Sequence, residues 1–154
     1  MDIWTEQLQP RHLPILTNWI GRKSGAMTRN DFPNDAKHVP LWMELSTGYD
    51  YLISVYETPV GIAGLRRNDA EAAELYLLLC EVNYNLIRTA TYATLRMLDR
   101  AFENYSRVIV WVNVAQTEYR DALERMGFFQ IEDSGSWRCM SVEKETYLGR
   151  KYLF

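Results

Sequence analysis

Apolar positions along the chain switch between a two-residue and a three-to-four-residue rhythm, and the order of the rhythms predicts the elements. IWTEQL, residues 3–8, alternates as a first strand. Pro10 then opens a short amphipathic helix carrying Leu13, Leu16, Trp19 and Ile20, closed by the turn-forming GRKSG of residues 21–25. From Asp35 to Ser46, Val39, Trp42, Met43 and Leu45 form the apolar side of a second helix, limited in its first turn by Pro40 and ended at Gly48.

YLISVY (51–56) and VGIAGLR (60–66) read as an antiparallel hairpin joined through Glu57, Thr58 and Pro59. AELYLLLCEV (73–82) is a near-continuous apolar run, consistent with a strand buried on both faces; periodicity alone admits a helix there as well, and the helix that follows favours the strand. From Leu86 to Phe102 the spacing turns helical, with Leu86, Ala90, Ala93, Met97 and Ala101 on one stripe and most charges off it. RVIVWVNV (107–114) is a β-branched strand, and TEYRDALERM (117–126) a helix stopped by Gly127. FFQIED and WRCMSVEK then pair around Ser134–Gly135. The fold class is α/β in the α+β sense: a mixed, mostly antiparallel sheet of about seven strands with about four helices on it.

A length of 154 residues suits one domain over 1–154, with no repeat or Pro/Gly/Ser-rich stretch dividing it. Hydrophobic residues at 47% and charged residues at 24% are ordinary soluble values. No run of about eighteen apolar residues lacks a charge, and the N-terminus is not leader-like, so a cytoplasmic protein without membrane contact is expected. A net charge of −3 argues against nucleic acid as a partner. Cys80, Cys139, His12 and His38 lack ligand spacing, so no metal is predicted.

The element order, with YETPVGIAGL, AELYLLLCEVNYNLIRTATYATLRMLDRAF and VIVWVNVAQTEYRDALERMGFF, resembles the GNAT superfamily of acyl-CoA-dependent N-acetyltransferases over nearly the whole chain. The long helix ending in LDRAF and the closing ERMGF are similar to the branch of ribosomal-protein N-terminal acetyltransferases. In that family, the loop after the fourth strand reads (Gln or Arg)-x-x-Gly-x-(Gly or Ala), and its backbone N–H groups bind the pyrophosphate of CoA at a helix N-terminus. Here the motif falls on Asn85, Leu86, Ile87, Arg88, Thr89 and Ala90, a degenerate version in which only Ala90 conforms. Arg88 replaces the middle glycine: its guanidinium can grip phosphate, its side chain can fill the phosphate site, or it can simply point to solvent.

The resemblance implies acetyl-CoA as co-substrate and direct attack on its thioester by a primary amine, on a small molecule or a peptide N-terminus. It places the pantetheine arm near Gln116, after the fifth strand, and the thioester-polarising N–H around Cys80 to Val82. Glu81 is the candidate base or a solvated strand-end acid. Leu123 stands where many members carry a proton-donating Tyr; Tyr119, one turn earlier, is either a substitute donor or a core residue. The acceptor is expected against Trp42, Tyr49 and Trp137, with Glu44, Asp50 and Glu132 as acids that recognise its charge or are solvated at the surface. The missing glycines and Leu123 leave a second reading, a GNAT-fold binding module without turnover. The apolar tail YLGRKYLF points to a possible homodimer.

Overall fold

The computed structural model describes residues 2–21, 26–45, 48–81 and 85–154. Its elements run β1 (Ile3–Gln7), α1 (Leu13–Asn18), α2 (Val39–Glu44), β2 (Asp50–Val55), β3 (Thr58–Arg67), β4 (Ala72–Leu79), α3 (Leu86–Ala101), β5 (Arg107–Asn113), α4 (Thr117–Met126), β6 (Phe129–Ser134), β7 (Trp137–Glu143) and α5 (Lys144–Arg150). The strands form one seven-stranded sheet in the order β1-β2-β3-β4-β5-β7-β6. Every neighbouring pair is antiparallel except β4 and β5.

Each early helix is shorter than its apolar stripe, and a proline explains both. Pro14 and Pro40 have no N–H to return to the carbonyl four residues back, so Pro10–His12 and Ala36–His38 wind as 3-10 turns before α1 and α2 begin. Asp35 caps the second turn through the Lys37 N–H at 3.1 Å. The β2–β3 turn also falls earlier than expected. Tyr56 (φ 48°) and Glu57 (φ 70°) make it, and Thr58 and Pro59 already belong to β3. A register shift between Ile53 and Ser54 absorbs the extra residue.

Apolar residues alternate across the sheet and feed a core on each face. Leu75, Leu77, Leu79, Val108, Val110 and Val112 meet Ala90, Ala93, Met97 and Leu98 of α3, with Leu123 and Met126 of α4. On the other face, Leu52, Ile62, Tyr76 and Leu78 meet Leu16, Trp19, Phe32 and Val39. A fifth helix, which the sequence reading took for the end of a strand and an apolar tail, closes the first core. Tyr147 of α5 is buried beside Phe102 (5.4 Å between rings) and donates to Asp99 at 2.8 Å, while Arg125 lies 5.2 Å over Phe154. Leu148, Tyr152 and Leu153 stay exposed. No helix among the described residues is long and apolar enough to cross a membrane.

Candidate active site

The sheet opens between its two parallel strands. β4 and β5 pair from Ala72↔Arg107 to Leu75↔Val110 and no further, so Tyr76–Leu79 and Trp111–Asn113 diverge. Such a divergence at the carboxyl ends of parallel strands is where open α/β sheets place ligands. At one side of the mouth β4 leads toward α3, and at the other β5 leads through Gln116 into α4.

The chain itself bridges the divergence. Ala26 pairs with Leu78 and Thr28 with Val112, both antiparallel. Met27 donates to the Leu77 carbonyl (3.2 Å) and accepts from the Asn113 N–H (3.2 Å), while Arg29 donates to the Trp111 carbonyl at 2.8 Å. The Leu77 N–H donates to Thr28 Oγ1 at 2.8 Å. Met27 and Thr28 are fully buried. Arg29 then lies 4.8 Å over the Trp111 ring and grips Glu74 through Nε and Nη2 at 3.2 and 2.6 Å. The sequence reading passed over this segment, because two or three residues of strand carry no period to detect.

β4 ends in a bulge: the N–H groups of both Cys80 and Glu81 donate to the Val60 carbonyl, at 2.8 and 3.0 Å. This corrects the expectation for Cys80, whose N–H serves the sheet and is not available to a thioester. The Glu81 carboxylate accepts the indole N–H of buried Trp19 at 3.0 Å, which fixes it at the strand end. Val82, also expected to touch the co-substrate, lies outside the described residues.

Asn85 caps α3 by position only, its side chain making no capping bond. Leu86 and Ile87 are half-buried against the core, Thr89 and Ala90 fully buried, and Arg88 exposed with its guanidinium 5.8 Å from the Tyr92 ring. Thr89 Oγ1 is buried without a hydrogen-bond partner among the described residues. The first turn of α3 carries no acid, so a lone arginine faces the positive end of a sixteen-residue helix. Gln116 is the N-cap of α4, again without a side-chain capping bond, and Asn113 Oδ1 takes the Ala115 N–H at 3.0 Å to shape that turn.

Tyr119 is a core residue. It has no exposure, its hydroxyl lies 2.8 Å from Thr94 Oγ1, and burial holds its pKa well above the ordinary value, so the proton-donor reading loses its basis. Nor do the three expected acceptor aromatics meet. Trp42 packs edge-on to Phe32 (5.2 Å) in the α1–α2 layer, Tyr49 packs in the core on the other face, and Trp137 begins β7 opposite Asn113.

Asp50, expected to meet an amine or solvent, is fully buried. It accepts from the Tyr76 hydroxyl and pairs with Arg66 Nη1 at 2.8 Å. Arg66 also grips Asp31 through Nε and Nη2 (2.9 and 3.1 Å), and Asp31 accepts the Trp42 indole N–H at 3.0 Å. Gly64 makes room for the cluster: a Cβ there would collide with the Tyr76 ring and the Asp50 carboxylate. Arg29, Asn30, Asp31, Arg66, Glu74 and Tyr76 line a cavity of about 300 Å³. Five to seven residues of strand, roughly 17–23 Å, separate Tyr76 and Glu74 from Glu81, so cavity and carboxylate do not share a substrate atom.

The sequence matches no protein-family model and no curated protein. Solved structures do match. The aminoglycoside acetyltransferase AAC(6')-Ib, crystallised in complex with coenzyme A, superposes with a TM-score of 0.76 at 12% identity, over 97% of this chain and 99% of that one. Mutant forms of the spermidine/spermine N-acetyltransferase SpeG of Vibrio cholerae give 0.75 at 14% identity, over 97% and 98%. The spermidine N-acetyltransferase of Vibrio cholerae in complex with CoA and spermine gives 0.71 at 13%, over 95% and 98%. The fold is that of the GNAT acetyltransferases. At these identities the likeness is one of architecture and does not fix what this chain acts on.

Proposed function

We propose that the protein is an acetyl-CoA-dependent N-acetyltransferase acting on a primary amine of a small molecule. The observation that carries this reading is the β4–β5 opening with the first turn of α3 at its mouth. AAC(6')-Ib was crystallised with coenzyme A, and the structures of similar fold include acetyltransferases named for aminoglycosides and spermidine, which favours small-molecule amines over peptide N-termini. The ribosomal-protein branch stays the finer alternative, and rests on LDRAF and ERMGF alone.

The phosphate end of the co-substrate fits what the chain offers. An arginine in the first turn of a helix, with no acid beside it, is unfavourable by about 0.3–1 kcal/mol against the helix dipole. A bound anion reverses that sign, taking N–H groups from the turn and the Arg88 guanidinium together. The arm would run past Gln116, and the bound group supplies an activated acyl thioester. Glu81, held by Trp19, is the carboxylate that would take a proton from the acceptor ammonium, directly or through water, so that the neutral amine attacks the thioester.

The filled β4–β5 gap supports a second reading, a binding module without turnover. An amine screen decides between them: purified protein with acetyl-CoA and a panel of polyamines, aminoglycosides and short peptides, followed by release of free CoA thiol. Release with a polyamine or aminoglycoside that falls at least tenfold in Glu81→Gln supports the enzyme reading. No release with any amine, from protein that stays folded, overturns it.

A further inference from the structure

The gap between β4 and β5 is closed by a piece of chain that belongs to neither strand. Ala26–Arg29 enters as an antiparallel insert whose backbone serves both edges: Met27 bonds Leu77 on one side and Asn113 on the other. A co-substrate with phosphates at α3 and its arm at Gln116 has to cross this gap, because those junctions follow the two strands that diverge. An arm laid along these strand edges would compete for the donors and acceptors that the insert uses.

We propose that Ala26–Arg29 is a displaceable strand that keeps the gap closed until acyl-CoA replaces it, making the free protein self-inhibited. The inference rests on the acetyl-CoA reading above. Three features make the insert releasable. It is pinned on two strands by bonds of a few residues, not by a continuous ladder. Thr28 uses a side-chain hydroxyl where a strand would use a carbonyl, accepting from Leu77 N–H at 2.8 Å. Its outer anchor, Arg29 on Glu74 and Trp111, is half-exposed and gains little from the pairing. The closed state lowers apparent affinity by the fraction of molecules that are open.

A reversible lock tests this. Bonds from Arg29 N–H to Trp111 and from Asn113 N–H to Met27 flank Thr28 and Val112, which makes them a non-hydrogen-bonded antiparallel pair. Cα atoms in such pairs stand about 4.5 Å apart, within disulfide range. The double variant Thr28→Cys, Val112→Cys is titrated calorimetrically with CoA, oxidised and then reduced. Both states carry the same substitutions, so a folding defect would weaken both alike. Arg29→Ala is the second variant, and amide hydrogen exchange of the unaltered chain is followed with and without CoA.

The reduced form is expected to bind CoA and the oxidised form to lose at least a hundredfold. Arg29→Ala should bind about threefold to fivefold more tightly than the unaltered chain, through its larger open fraction. CoA should speed exchange at the Met27 and Arg29 amides, the reverse of the usual protection by a ligand. Equal binding by the oxidised and reduced forms, with Met27 and Arg29 still protected, overturns the inference and leaves the acetyltransferase reading standing. No CoA binding by any form, the released variant included, overturns both.

Discussion

Removing the Arg66 guanidinium tests the polar cluster under the sheet. Asp50 is fully buried, where it accepts from the Tyr76 hydroxyl and pairs with Arg66 Nη1 at 2.8 Å. Arg66→Met keeps most of the stem that lies along Tyr76 and Trp42 but removes the guanidinium that faces the carboxylate. Breaking a buried ion pair from one side costs about 3–5 kcal/mol, because the remaining charge stays desolvated. Tyr76 still donates and the Arg66 side chain is 30% exposed, which places the cost at the lower end, about 3 kcal/mol. For a domain of this size that lowers Tm by about 6–12 °C. Thermal and urea unfolding at pH 7 of Arg66→Met, Asp50→Asn and the double variant make a complete cycle. The double variant should recover at least a third of the single loss, since an amide is cheaper to bury than a carboxylate deprived of its guanidinium. An Arg66→Met protein within about 0.5 kcal/mol of the parent, or strict additivity in the double variant, would refute the reasoning.

Three further expectations follow from the same geometry. Gly64→Ala should destabilise by about 1–3 kcal/mol in urea unfolding, since its Cβ meets Tyr76 and Asp50, neither of which has room to yield. Burial pushes the Asp31 pKa up, but its bonds to Arg66 and Trp42 outweigh this and hold it below 3.8. Its stabilising contribution is therefore present above about pH 3.8 and lost as the pH falls through the depressed value, so the Tm gap between the parent and Asp31→Asn should close in that window. Arg88→Ala should weaken CoA binding about fivefold or more by calorimetry while leaving Tm within a degree or two, because Arg88 is exposed with its guanidinium over the Tyr92 ring.

Long periodic segments were legible in the sequence, and contacts between distant segments were not. Leu86–Ala101, Thr117–Met126 and Arg107–Asn113 follow the sequence reading because each buries one face against a sheet and repeats its period several times. The Gly127 stop is confirmed by its φ of 108°. Helix α5 was missed because Trp137–Lys144 reads as uninterrupted strand, and only Tyr147, at a spacing of one turn from Glu143, hints otherwise. Asp50 looked like a surface acid because its charge is balanced by Arg66, sixteen positions on, and no local pattern carries that pairing. The same limit hid Met27 and Thr28, whose partners lie on β4 and β5.

If the inserted strand exchanges for a co-substrate arm as proposed, the exchange also says where affinity must come from. Leaving the gap costs the chain its bonds to Leu77, Trp111 and Asn113. The amide groups of a pantetheine arm regain similar bonds, so that part of the exchange is near neutral, each bond being worth about 0.5–1.5 kcal/mol in either state. Burial is lost as well, because Met27 is fully enclosed while the insert is in place. On that proposal the favourable balance would fall on the phosphates, with Arg88 and the first turn of α3 as a charge-assisted anion site. Pantetheine without phosphates should accordingly bind at least a hundredfold more weakly than CoA, and CoA affinity should fall as salt rises from 50 to 500 mM. Calorimetry with both ligands across that range checks this. Comparable affinities for pantetheine and CoA, or binding indifferent to salt, would mean that the gap and not the helix end holds the ligand, and that Arg88 is a solvent-facing residue.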